Sequence, residues 1–361
     1  MSTKQASLPS DRTLDATSST DKTSQDVVND YFMKYAEFRE LDAIKKKGWE
    51  NPKADNFFKE RRSQADKANT SAQKVFYTMM QQIGDELNRQ TGALQLPPAQ
   101  SRRPTVLDIC MAAGGFTSAV MKCNSDARVS GITLPVKNGG HFIHIPGWQN
   151  DHRLRIRFLD ITMLAKDMGV EAKDVPTDHP DAQNFIFDQP FSGQDYDLVF
   201  CDGQVLRTHE RPDYREHGEI GRLRAAQLVL AMQRIRENGR LVMLLHRNDA
   251  VDVVSLLYTL SRFSSIRLFK PQKKHAMMSS FYVIAEGVHP RSQEALDAVE
   301  MWKKQWHAAT FGSDDDVQKA HSISVDYIEG VLADFGEELV KLSLPLWRTQ
   351  YAALRKSEII S

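Results

Sequence analysis

Three acids in this 361-residue chain stand where a strand would hand over to a loop. They are Asp108 in Val106-Leu107-Asp108-Ile109-Cys110, Asp160 after Arg155-Ile156-Arg157-Phe158-Leu159, and Asp202 after Asp197-Leu198-Val199-Phe200-Cys201. A carboxylate in such a place can accept hydrogen bonds from a ligand or balance a positive charge on it. The first acid leads into Met111-Ala112-Ala113-Gly114-Gly115-Phe116-Thr117, where small side chains and a glycine pair precede an amphipathic segment ending at Lys122. That order reads as strand, tight turn and helix start. Glycines there let a ligand approach the backbone, and the first helical turn offers N–H donors to an anionic group. A glycine pair after a buried strand also serves as a plain turn, so the fingerprint alone names no ligand.

The elements that would position these acids alternate in type. Strands are expected over residues 106–109, 128–134, 155–160, 197–202 and 241–245, with two more at 265–269 and 281–285. Helices are expected over residues 117–122, 223–237 and 251–260, the second stopped by Asn238-Gly239 as a C-cap. Such alternation argues for an α/β fold with a mostly parallel sheet covered on both faces. A hydrophilic insertion, residues 173–183, interrupts it.

On either side lie apolar residues at helical spacing: Val28, Tyr31, Tyr35 and Phe38, then Phe76, Met79, Ile83 and Leu87, and later Leu296, Val299, Trp302, Trp306 and Ile328 to Leu342. The organisation expected is a disordered tail at 1–24, a helical N-terminal segment at 25–100, the α/β domain at 101–288 and a helical C-terminal extension at 289–361. Gly312-Ser313-Asp314-Asp315-Asp316 reads as a loop within that extension, too poor in spaced ligands to hold calcium.

Lys+Arg 47 against Asp+Glu 47 leaves no net charge, so contact with a polyanion must come from local patches. Lys45-Lys46-Lys47 and Lys59, Arg61, Arg62 and Lys67 are such patches, or else solvated helix faces. Three cysteines, Cys110, Cys123 and Cys201, have neither disulfide nor metal-ligand spacing, which suits a reducing compartment. With no apolar run long enough to span a bilayer and no signal-peptide pattern, the expectation is a soluble intracellular protein without membrane contact, cytoplasmic or nuclear.

At these residues the chain resembles the FtsJ-type S-adenosylmethionine-dependent methyltransferases, which methylate a ribose 2′-hydroxyl of RNA. The resemblance covers about residues 71–287. Asp108 through Thr117 is similar to that family's first motif, with Ala113 where the family has proline. Asp197-Leu198-Val199-Phe200-Cys201-Asp202-Gly203 resembles its fourth strand, and Lys270-Pro271 through Gly287 follows its terminal hairpin in length. The resemblance implies a Rossmann-like methyltransferase sheet, mostly parallel with a terminal antiparallel hairpin, and helical additions at both ends. It also implies a cofactor site of Asp108, Gly114, Gly115, Phe116, Asp160 and Asp202 for S-adenosylmethionine, no metal, and RNA as substrate. The helical additions could receive a protein partner.

The family's active site is a Lys-Asp-Lys-Glu tetrad. Here the resemblance assigns Asp202 to the aspartate and Lys74 to the first lysine, but sets Leu244 at the second lysine and Ser280 at the glutamate. A lysine ammonium stabilises the alkoxide that forms from a ribose hydroxyl, and leucine cannot. His246, Lys273 and Lys274 are the nearby replacements, or else exposed polar side chains. Thr133 stands where the second strand of such sheets ends in an acid for the ribose hydroxyls. Cys110 and Cys201 are read as pocket lining or small core residues, and His141 and His144 as loop residues. Two functions follow: an RNA methyltransferase working with a reduced set of residues, or a degenerate methyltransferase fold that binds cofactor or RNA without turnover.

Overall fold

The computed structural model describes residues 22–51, 70–96, 102–206, 209, 211–216 and 218–357. Its strands are β1 (Thr105–Ile109), β2 (Arg128–Thr133), β3 (Leu154–Phe158), β4 (Tyr196–Cys201), β5 (Ile235–His246), β6 (Ser265–Phe269) and β7 (Ser280–Val288). They form one seven-stranded sheet of order β3-β2-β1-β4-β5-β7-β6. β1 to β5 are parallel, and β7 runs antiparallel to both β5 and β6. This is the mostly parallel sheet with a terminal antiparallel hairpin that the sequence implies.

Side chains of a strand alternate between faces, and here both faces are covered. Val106, Leu198, Phe200, Val242 and Leu244 meet α3 (Thr70–Thr91) and α4 (Gly115–Cys123) through Met80, Ile83, Leu87, Phe116 and Val120. Their neighbours Leu107, Ile109, Val199, Cys201, Leu241, Met243 and Leu245 belong to a larger core on the opposite face. That core takes in α5 (Glu219–Arg234), α6 (Val251–Ser261) and α7 (Gln293–Phe311), together with α1 (Ser24–Phe32), α2 (Ala36–Trp49) and α9 (Val325–Arg355). The two helical additions therefore pack on the sheet and on each other. Trp347 of α9 lies 5.0 Å from the ring of Phe32 and 5.2 Å from that of Phe38.

Several boundaries differ from the sequence expectation. The expected tail stops short of Ser24: Thr23 caps α1, its side chain accepting from the Asp26 amide while the Asp26 carboxylate accepts in return. Residues 1–21, the basic run from Lys59 to Lys67 and residues 97–101 lie outside the described residues. Asn238-Gly239 does not end a helix. α5 stops at Arg234, β5 begins at once, and Asn238 at φ 60 loops the strand out, so that the register with β4 jumps from Tyr196↔Ile235 to Leu198↔Arg240. Asparagine tolerates left-handed backbone and serves a bulge as well as a C-cap. The acidic run after Gly312 is the first turn of α8 (Asp314–His321), where Ser313 and Asp316 form a capping box and the carboxylates face the positive end of the helix dipole.

α7 is anchored by Trp306, which is fully buried and donates its indole N–H to the Thr162 carbonyl at 2.9 Å. Truncating a buried Trp costs about 3–5 kcal/mol. Trp306→Ala should therefore lower the unfolding free energy by about that amount in urea titrations, without a change in the oligomeric state.

Candidate functional site

The strand order reverses between β1 and β4, and in open α/β sheets the crevice beyond the strand ends at such a point is where ligands bind. A cavity of about 710 Å³ opens there, within the range of small-molecule sites. Asp108, Gly114, Gly115, Phe116, Asp160 and Asp202 all line it, and Lys74 does not. Lys74 is exposed on α3, next to Gln73, which does line the cavity.

The floor is the β1–α4 turn. Thr117 Oγ1 donates to Asp108 Oδ2 at 2.5 Å, tying the first turn of α4 back to β1. Gly114 caps α4 at φ +96, and a Cβ there would sit 2.6 Å from Ile145 Cγ1. A Cβ on Gly115 would press within 2.3 Å of Met80, so both glycines are required by close approach, the first also by its backbone angle. Cys110, between β1 and the turn, is held at φ 67, a backbone region costly for a side-chain-bearing residue. It lines the cavity, whereas Cys201 is fully buried behind it in the larger core.

Two carboxylates define the cavity's electrostatics. Burial pushes Asp108 up to about 7, and burial together with the neighbouring Asp108 pushes Asp202 well above the usual carboxylate range. The Tyr282 hydroxyl is buried beside the Asp202 carboxylate and is, among the described residues, its one hydrogen-bonding neighbour, too poorly aligned to satisfy Oδ1 fully. Phe116 stacks on Phe200 at 5.2 Å and meets Tyr282 edge-on at 5.5 Å, which closes the apolar wall beside Asp202.

Asp160 is placed differently. Its Oδ1 accepts from the amide and hydroxyl of Thr162, and its Oδ2 from Arg215 at 3.0 Å with His209 3.6 Å away. Although burial opposes it, the Arg215 charge and these hydrogen bonds hold Asp160 below its ordinary range. Arg215 also grips Glu219, a cavity residue, at 2.6 and 3.1 Å, and stands 3.9 Å from Asp181. Arg222 completes the network, fully buried, donating to the Thr162 carbonyl and lying over the Trp306 ring at 5.6 Å. The sequence reading missed these ions. The available signal was Arg222 on the stripe of α5 that continues through Ala225, Ala226 and Val229, where an unpaired charge would be prohibitively costly.

At the tetrad positions, Leu244 lines the cavity as a buried apolar wall, and Ser280, opposite His246 in the β5–β7 ladder, is buried with its hydroxyl 3.4 Å from His275 Nδ1. Of the replacements considered, His246 reaches the cavity and Lys273 and Lys274 do not. His246 Nε2 lies 3.1 Å from Gln204 Oε1, and partial burial with the cations Arg224 and Lys270 lowers its pKa. Lys270 itself donates to the carbonyls of Met278 and Ser280 at 2.5 and 2.9 Å, fastening the loop between β6 and β7. Thr133 Oγ1 accepts from the Ala112 amide at a long 3.4 Å. His141 also lines the cavity. Among the described residues no group of three or more His, Cys, Asp or Glu could hold a metal ion, and no helix is long and apolar enough to cross a membrane.

This sheet order, its reversed last strand and the acids at the ends of β1 and β4 define the Rossmann-like methyltransferase class. Residues 85–288 match the FtsJ-like methyltransferase family, and the chain belongs to that family. No curated protein matches the chain. Among solved structures it is similar to a Plasmodium falciparum protein assigned as a ribosomal RNA methyltransferase, at 13% identity over 58% of this chain and 96% of that one, with a TM-score of 0.37. It is also similar to the N-methyltransferase NodS of Bradyrhizobium japonicum, at 15% identity over 57% and 97% and a TM-score of 0.34. A third is an rRNA methylase of Streptococcus thermophilus, at 10% identity over 58% and 95% and a TM-score of 0.32.

The raised pKa of Asp108 has a definite sign. The folded protein holds this proton more tightly than an unfolded chain, where an aspartate titrates near about 3.9. Its contribution to stability is therefore full at low pH and is lost as pH rises through about 7. Asp108 alone should therefore remove stability from the ligand-free protein between about pH 4 and 7, a share read in urea titrations as the pH-dependent difference between wild type and Asp108→Asn.

Proposed function

We propose that the chain is an S-adenosylmethionine-dependent methyltransferase that acts on an RNA ribose 2′-hydroxyl. The observation that carries this reading is the pair of buried carboxylates, Asp108 and Asp202, in a cavity at the sheet's switch point, with the Thr117 and Tyr282 hydroxyls beside them and, among the described residues, no cation. A ligand bearing positive charge supplies what that pair lacks. When bound, S-adenosylmethionine offers a methyl group on cationic sulfur, so in-line placement of the nucleophile accounts for much of the rate. Asp108 and Asp202 would balance its charge. The N–H groups at the start of α4, around Gly114, Gly115 and Phe116, suit a carboxylate, and Asp160 lines the same cavity.

A hydroxyl nucleophile must also lose a proton. His246 is the group positioned to take it, neutral near physiological pH and oriented by Gln204 at the cavity mouth. Lys74, on the exposed side of α3, would contact the substrate outside the cavity.

The second reading, a fold that binds without turnover, is favoured by Leu244 and Ser280, which provide neither the ammonium nor the carboxylate of the tetrad. Incubation of total RNA with tritiated cofactor, followed by nucleoside mass spectrometry, separates the two. The first reading expects a 2′-O-methylated product, lost about 100-fold or more in Asp202→Asn and in His246→Ala, and increased by Leu244→Lys combined with Ser280→Glu. Cofactor binding in calorimetry without any transfer supports the second reading, and absence of cofactor binding overturns the first and leaves the second only as RNA binding. Because a cation favours ionised carboxylates, binding should release protons, and affinity should rise from about pH 6 to 8. Calorimetry in buffers of different ionisation enthalpy reads that release.

A further inference from the structure

Two of the segments that line the cavity share a composition. One is the start of α3, and the other is the stretch between β2 and β3. Residues 70–84 and 134–150 contain no Asp or Glu, and their charged residues are Lys74 and Lys137; burial lowers the pKa of His141 and His144, which favours their neutral form. Both lysines are exposed.

The second segment is fixed along its backbone. Gln73 Oε1 accepts from the Phe142 amide at 3.0 Å, the His144 amide donates to the Ala113 carbonyl at 3.0 Å, and Ile145 closes over Gly114. The His141 ring packs against Phe76 at 5.8 Å. The Phe142 side chain is left facing outward, 49% exposed, one residue beyond the cavity-lining His141, and Val75 on α3 is 70% exposed. A solvent-facing aromatic ring on a segment that carries Lys137 and no acid, bonded through its backbone to the helix start that carries Lys74, suits a nucleobase flanked by phosphates.

Resting on the reading of the cavity as an RNA methyltransferase site, we propose that Phe142 is a stacking platform for an unpaired base beside the target nucleotide, with Lys74 and Lys137 on the flanking phosphates. A base can lie on an exposed ring only when free of its own helix, so the substrate class is single-stranded RNA or a loop. Phosphate contacts from two lysines hold the strand in register without reading its sequence.

The test uses the full chain, a fluorescein-labelled unstructured RNA oligonucleotide and a duplex of the same sequence, followed by fluorescence anisotropy, with cofactor affinity measured by calorimetry in parallel. Phe142→Ala should weaken single-strand binding by about 5- to 150-fold and leave cofactor affinity unchanged. Phe142→Trp should keep the affinity, and its emission should be quenched by the RNA. Lys74→Ala with Lys137→Ala should flatten the slope of log K against log salt by about 1.4. A Phe142→Ala protein that binds single strands as tightly as wild type overturns the platform alone, as does wild type that binds the duplex equally well. Wild type that binds cofactor but neither RNA form overturns the RNA reading of the site and the platform with it. A wild type that sediments as a dimer while Phe142→Ala is monomeric assigns this surface to self-association and overturns the proposal too.

Discussion

The hydrogen bond from Thr117 to Asp108 holds the site together. It draws the first turn of α4 onto the end of β1, and so sets a helix N-terminus and a carboxylate side by side with the short turn Cys110-Met111-Ala112-Ala113-Gly114 between them. A buried acid accepting one hydrogen bond and lacking a counter-ion is poorly solvated, which is why it binds its proton so firmly in the absence of a ligand. The cavity thus keeps an unmet demand for positive charge. Charge already neutralised by the protein would have left nothing to reward a cationic ligand.

The charge around Asp160 is managed in the contrary way. Arg215 and Arg222 bring enough positive charge to Asp160, Glu219 and Asp181 that these ions are bound to one another. Such a buried network is worth little as net stability, but it is stringent about geometry. It fixes the ends of β3 and α5 and, through Trp306 and Thr162, the position of α7. The helical extension is therefore part of the wall behind the site.

Much of this was legible in the residues. The strand-and-acid pattern at Asp108, Asp160 and Asp202 located the cavity, because a parallel sheet places all its strand ends on one side. Leu244 stood out as a loss because its neighbours fixed its register. What the sequence withheld depends on contacts between distant segments. The Arg215 network joins residues from four stretches of chain, and Asp181 lies in an insertion that reads as plainly hydrophilic. Asn238 was misread because one backbone conformation serves both a helix end and a strand bulge. The first turn of α8 was misread because aspartates favour loops and helix starts alike.

The packing of Phe32 and Phe38 against Trp347 joins the two ends of the chain. On a ribosome, the face of α1 and α2 that carries these rings emerges before α9 is made and waits for it. Until then it has no native cover. The sheet can close earlier, since its strands end at Val288. Synthesis therefore passes through a stage with a formed sheet and an uncovered aromatic surface, a stage that invites chaperone contact and sets a limit on how much of the C-terminus can be delayed or lost before the chain aggregates.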